Sequence, residues 1–244
     1  MSLNSPIDQF LIKDIGKIIN IGNINLSFNN SSLAMLIAFV CIVCFFYFGI
    51  RKKSIIPHRM QMLSEMSYDF VLSITKENIH GDLYKKIFPF IYSIFMFFLF
   101  GNLIGLIPGF FAFTSQIVVT LFFAIFVLII ATIIGIYKHG IKFINIFIPQ
   151  GLPILLLPFM GILEFMSYFT KALSMGIRIF ANIMAGHIII EIFAGFIIAL
   201  GFFGIIPLSF TTILYAFELG IACIQAYIFT ILTCIFFNQV INLH

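Results

Sequence analysis

Apolar positions along the chain fall into long runs separated by short polar punctuation. Residues 1–32 are mixed, and Asn29, Asn30, Ser31 and Ser32 lead into a first run, Leu33 to Ile50, that stops at Arg51-Lys52-Lys53. A second run covers about 87–107 and stops at Pro108-Gly109, and a third covers about 116–137 and stops at Lys138-His139-Gly140. Each is close to the ~20 residues an α-helix needs to cross a hydrocarbon core of roughly 30 Å. Between the first two runs, residues 51–86 mix Pro57, Glu65, Asp69, Glu77, Gly81 and Asp82 with basic residues, while Met62, Met66, Phe70 and Ile74 recur every four positions. That spacing predicts an amphipathic helix on the membrane surface.

From Pro153 to Leu200 no turn doublet interrupts 48 residues, which as one helix would be about 72 Å long, more than twice the hydrocarbon thickness. Gly201, Gly204 and Pro207 then mark a turn, and Ile205 to Asn238 is again helix-permissive. Breaking the first arm into two spans would need a turn near 171–182, where Gly176 is the one weak breaker. The pattern predicts an all-α polytopic membrane protein with about five membrane helical segments, at about 33–50, 87–107, 116–137, 153–200 and 205–238. The last two form a long, steeply inclined helical hairpin. Residues 1–32 are expected to be an N-terminal outside segment and 33–244 a single membrane domain.

Composition agrees, since 62% of the 244 residues are apolar and 9% charged, against the roughly 25% charged that a soluble domain carries. Seven of the 13 Lys and Arg lie between Arg51 and Lys86, which marks one loop and no nucleic-acid surface. With Lys138 and Lys142 they put the 51–86 and 138–152 loops on the cytoplasmic or matrix side. The basic-free 108–115 and 201–204 loops fall opposite, with the N-terminus outside and the C-terminus inside. Asp8, Lys13, Asp14 and Lys17 lack the cationic-then-apolar order of a cleaved signal peptide. Cys41, Cys44, Cys223 and Cys234 all sit in apolar runs without zinc-site spacing, and are expected to be small packing residues.

Charge inside hydrocarbon costs from ~3 to well over 10 kcal/mol, so each intramembrane ion needs a reason. Glu164, Ser167, Lys171, Ser174, Arg178 and Asn182 follow steps of three and four and form one polar stripe on the long arm. Glu164 and Lys171 can pair through long side chains or snorkel. Arg178 lies too far from either end of the arm to do so, and its guanidinium cannot practically lose its proton. Gly176, Ala181, Ala185 and Gly186 around it would let another helix approach closely, in this chain or another subunit. His187 is nine positions beyond Arg178, about 180° round the helix, and Glu191 is four further on the same side. The pair lacks a third metal ligand, which leaves His187 as a buried structural residue or a proton relay. On the last arm Glu218, Ala222 and Gln225 share a stripe, and a buried carboxylate there needs a partner or a proton.

Ser174-Met-Gly-Ile-Arg178-Ile-Phe-Ala-Asn182-Ile-Met-Ala-Gly186-His187 closely resembles the signature of subunit a of F-type ATP synthases. Glu218-Leu-Gly-Ile-Ala-Cys-Ile-Gln225-Ala-Tyr-Ile-Phe-Thr resembles that family's last-helix motif, and Asn102-Leu-Ile-Gly-Leu-Ile-Pro108-Gly109 its second-span motif. The likeness extends to Ser5-Pro-Ile-Asp-Gln-Phe10 and Lys138-His-Gly140, and is strongest to the alphaproteobacterial and mitochondrial branch, where this His and Glu stand in place of the reversed order of other bacteria. It departs at Lys171-Ala172, where the family usually has Arg-Pro.

The resemblance implies a stator in a bacterial plasma membrane or a mitochondrial inner membrane, working with c-ring subunits and the peripheral-stalk subunit b. Protons would pass through two offset half-channels, with Arg178 as the indispensable arginine, His187 and Glu218 lining the inlet, and Asn182 and Gln225 as polar neighbours. It implies no role for Glu191. No P-loop, cofactor motif or nucleophile–base pair is present, so the chain is expected to be no enzyme by itself and not to bind ATP. A secondary transporter with Arg178 on an anionic substrate is the competing class, but it calls for inverted repeats, and the sequence has none.

Single cysteines at Lys76 and Thr114, in a background without the four native cysteines, are expected to be modified from opposite sides of the membrane. Modification of both from one side would break the five-segment topology.

Overall fold

The computed structural model describes residues 10–21, 24–51, 57–79, 81, 83–107, 109–147 and 156–241. Ser5 to Gln9 of the N-terminal motif, Lys52, Lys53, Asp82, Pro108 and Pro153 lie outside them. Six helices follow two strands: β1 (Asp14–Ile21), β2 (Ile24–Asn29), α1 (Asn30–Ile50), α2 (Arg59–Asn78), α3 (Tyr84–Gly105), α4 (Ile117–His139), α5 (Leu157–Leu200) and α6 (Ile205–Ile241). Helices α1, α3, α4 and the 85 residues spanning α5 and α6 are long and apolar enough to cross a membrane.

The chain divides into two compact units. One comprises residues 1–64, 96–116 and 179–226, the other 65–95, 117–178 and 227–244.

In the first unit, the apolar-run pattern gave no sign of β1 and β2. They pair antiparallel with Asp14 opposite Asn29 and Ile21 opposite Ile24. Their Ile-rich, partly alternating sequences are too short for a helical span and suit a pleated ribbon. Asn30 ties this ribbon to the start of α1, because its Nδ2 donates to Leu11 O at 3.1 Å and its Oδ1 accepts from the Lys13 N–H at 3.3 Å. The end of α3 packs on the following loop through small residues. A Cβ at Gly101 would collide with the Phe113 ring, and one at Gly105 would come within 2.8 Å of Ala112 Cβ. Thr114 is therefore fully buried despite its place in a loop, and exposed Phe110 is the better position for the labelling test.

The turn between α5 and α6 is a short 3-10 segment, Gly201–Gly204. Gly201 takes φ +53, and a Cβ on Gly204 would come within 2.6 Å of Ile197 O, so both positions require glycine. Pro207 lies in the first turn of α6, where a missing N–H costs no hydrogen bond. The arms then run side by side, with Phe193 stacked on Phe210 at 5.8 Å.

In the second unit, α2 buries Ile74, the last of the four apolar positions spaced four apart, together with Val71 and Thr75, and Ser67 hydrogen-bonds Tyr92 at 2.9 Å. The other three, Met62, Met66 and Phe70, are exposed. Helix α4 buries Ala124, Val127, Leu128, Ala131 and Gly135, a face of steps of three and four. Gly135 accommodates Val240 and Phe143, and Gly176 on α5 would place a Cβ 3.0 Å from the Leu121 backbone of α4. The Lys138-His139 pair closes the last turn of α6. Lys138 Nζ donates to Ile241 O at 3.0 Å, and His139 Nε2 lies 2.9 Å from the same carbonyl, which sets basic groups at a helix C-terminus as its dipole favours.

Helix α5 is continuous over 44 residues, about 66 Å at the usual rise. No break falls near 171–182, and Ala172 is buried.

Candidate functional site

Two constellations of polar side chains stand out against the apolar helices. The first lies on α5 in the second unit. Ser167, Thr170, Lys171, Ser174 and Arg178 line a groove of about 500 Å³ closed on one side by Leu232 of α6. Four of the six residues of the predicted polar stripe are in it. Lys171 and Arg178 are exposed on the chain and neither makes an ion pair among the described residues. Glu164 is half-buried and unpaired with Lys171, since seven residues of rise put their backbones about 10 Å apart. An exposed guanidinium in a hydrocarbon-length segment calls for a counter-charge, and the described residues supply none.

The second constellation is in the first unit. Gly186 of α5 lies against Glu218. A Cβ there would come within 2.6 Å of Glu218 Oε1 and 3.2 Å of its Cγ, so the carboxylate side chain lies against bare backbone. One residue on, His187 Nε2 is 3.8 Å from Glu218 Oε1, with side-chain exposures of 14% and 4%. The separation is longer than a hydrogen bond and short enough for one bridging water or a small side-chain adjustment to close.

Unpartnered buried polar atoms recur in this unit. Both Glu218 carboxylate oxygens, His187 Nε2, Gln225 Oε1, Asn102 Oδ1 and Thr114 Oγ1 are buried and accept or donate no hydrogen bond among the described residues. Unpaired buried polar groups are rare in folded proteins, and several in one unit mark a place where water or protons belong. The N-terminal motif reaches the same place. The Phe10 ring meets His187 edge-on at 6.1 Å, and Gln116 Nε2 donates to Phe10 O at 3.0 Å.

The structure thus joins His187 to Glu218 and buries Glu218, Ala222 and Gln225 together on α6. Asn182 is half-buried and hydrogen-bonds nothing among the described residues. The small residues near Arg178 divide in two groups. Gly176 and Gly186 serve contacts within the chain, while Ala181 and Ala185 remain exposed. Residues that the sequence left without a part in the site are Asn102, Thr114, Tyr215, Phe10 and, as the seat of Glu218, Gly186. For Asn102 the signal was present, a carboxamide inside an apolar run. Phe10 closes the N-terminal motif that carries the likeness, while for Tyr215 there was no signal, because its partner is about a hundred positions away.

A family model described as ATP synthase A chain matches residues 32–238. Among curated proteins, ATP synthase subunit a of Pelagibacter ubique (strain HTCC1062) is 44% identical over 241 residues, covering 98% of both chains. ATP synthase subunit a of Rhizobium etli (strain CIAT 652) is 42% identical over 248 residues, and that of Rhizobium meliloti (strain 1021) 41% over 248, again with 98% of each chain covered. With a family model over most of its length and relatives matched nearly end to end, the chain belongs to the ATP synthase subunit a family, as a multi-pass subunit of the enzyme's membrane sector.

Proposed function

We propose that this chain is the stator of a rotary ATP synthase, forming two half-channels against a ring of c subunits and coupling proton flow to ring rotation. The observation that carries the reading is Arg178, a permanent cation exposed on a hydrocarbon-length helix and unpaired among the described residues. A carboxylate on a neighbouring subunit would supply the missing charge. Beside that carboxylate the guanidinium favours the ionised form and so drives release of its proton, and because it cannot itself release one it blocks proton leakage past it. The exposed Ala181 and Ala185, three and seven positions beyond Arg178, leave room for a helix to come close.

His187 and Glu218 act as the relay of the inlet half-channel, with Gln225 and Asn182 as further polar positions along it. His187 and Glu218 can each hold or release a proton, and their unpaired, buried atoms match a path along which a proton is handed on. The chain binds no nucleotide, assembles with the peripheral-stalk subunit b, and resides in a bacterial inner membrane.

Arg178→Ala and Arg178→Gln are expected to lower proton-driven ATP synthesis at least about 100-fold, the scale of losing one preorganised charge. Arg178→Lys should fail as well, because an ammonium can deprotonate in a desolvated site and lacks the planar fork. Synthesis near the wild-type rate in Arg178→Ala, with the complex assembled, would remove the central claim.

At the relay, single substitutions His187→Glu or Glu218→His should slow proton pumping about tenfold or more, short of the loss at Arg178. The exchange of both restores the same two groups in reversed order and should recover activity over at least one single variant. Equal, additive losses in singles and double, with an unchanged pH profile, would make the two residues merely structural. Gly186→Ala pushes Glu218 off the α5 backbone. It should leave assembly intact and still slow pumping severalfold, measured in membranes with matched amounts of complex, and wild-type pumping would show that the seat of the carboxylate is unimportant.

A further inference from the structure

We infer that Asn102 and Tyr215 are positioning residues that fix Glu218 against His187, an inference that rests on the relay reading of that pair. On α6, Tyr215, Glu218, Ala222 and Gln225 follow steps of three and four and share one stripe. Asn102, in the last turn of α3, and Leu106, just past its end, are likewise four apart.

Two hydrogen bonds join these stripes. Asn102 Nδ2 donates to Ala222 O at 3.2 Å, and the Tyr215 hydroxyl donates to Leu106 O at 3.2 Å. The lower number on α3 meets the higher number on α6, so the elements run antiparallel and the bonds are seven residues apart on α6, about 10 Å along the helix. Glu218 falls between them, three residues after Tyr215 and four before Ala222.

Each bond runs from a side chain to a backbone carbonyl of the other segment, so together they set the height and the rotation of α6, the two variables that aim a side chain. A single bond would leave α6 free to pivot about it. The aim matters because the carboxylate sits against Gly186 at one edge and 3.8 Å from the imidazole at the other, a separation that a small rotation would stretch beyond a bridged contact. Asn102 is almost fully buried, and no other polar side chain on α3 donates to α6 within this unit among the described residues.

The test uses proton pumping by inverted membranes with matched amounts of assembled complex. Asn102→Leu keeps the volume and removes the donor. Tyr215→Phe removes one oxygen and keeps the ring, so it reports even if Asn102→Leu does not assemble. Each is expected to slow pumping about three- to tenfold, the scale of one hydrogen bond, and to displace the pH profile. In a Glu218→Asp chain, whose shortened carboxylate is already out of place, the same substitutions should change the rate less than about twofold, because coupled residues are not additive. Equal factors in both backgrounds, or unchanged rates and pH profiles, would overturn the inference while leaving the relay intact. Pumping at the wild-type rate in Glu218→Gln would overturn the relay reading itself, and this inference with it.

Discussion

Every polar group carried into a hydrocarbon-thick layer of this protein has to find its partner inside the protein, because lipid offers none. The helices satisfy their backbones, and most hydroxyls satisfy themselves locally. Thr75, Thr132, Thr211, Thr212 and Thr233 each donate to the carbonyl four residues earlier. The C-terminus of α6, with its open carbonyls, is met by Lys138 and His139. Once these are set aside, the unanswered polar groups among the described residues include Arg178 and Lys171 in one unit and atoms of Glu218, His187, Gln225 and Asn102 in the other. The residues proposed for function are among those that the rule of internal satisfaction leaves over.

Satisfying the rest requires helices to approach closely, and this is the work of the small residues. Gly176 brings α5 within 3.0 Å of the α4 backbone as measured to an added Cβ, and Gly135 opens α4 to Val240 and Phe143. Without a hydrophobic force between helices in lipid, such contacts stabilise through dispersion and geometry. Aromatic rings fill the wider gaps, as where Tyr168 meets Phe236 edge-on at 5.6 Å while its hydroxyl bonds Thr132 at 2.9 Å. Helix α5 stays continuous through the lysine and arginine positions, with Ala172 buried in the packing of the second unit.

Hydrocarbon length and helical phase are local properties, and they made the helices, the α5–α6 hairpin, the polar stripe ending in Arg178 and the shared stripe of Glu218 and Gln225 legible in the sequence. What was not legible depends on partners far along the chain. The spacing of Met62, Met66, Phe70 and Ile74 marks an apolar face of α2, but only tertiary contact shows that Ile74 is buried, with Val71 and Thr75, while the other three stay exposed. The tie of Asn102 to Ala222 spans 120 positions and that of Tyr215 to Leu106 spans 109, and no periodicity records them. The β1–β2 ribbon is hidden for a different reason: strands of eight and six residues are far shorter than the apolar runs of about 20 that mark a membrane helix. The i, i+7 pairing open to Glu164 and Lys171 did not form because two helical turns separate groups that face into different surroundings.

The two constellations divide the chemistry by what each group can do with a proton. A guanidinium holds its proton across the whole physiological range, so Arg178 can bias a neighbouring carboxylate but cannot carry anything. Imidazole and carboxyl exchange protons readily, and a pair of unlike groups passes one without either being left charged and unpaired for long, provided the distance between them is controlled. That control is costly to obtain from side chains alone, since Glu218 has three rotatable bonds. Here it comes from the backbone: glycine at 186 removes the obstacle on one side, and α3 holds α6 in register on the other. Placement of a mobile charge is thus achieved by fixing the helices that bear it, so the precision of the proposed relay would depend on residues that need never touch the proton.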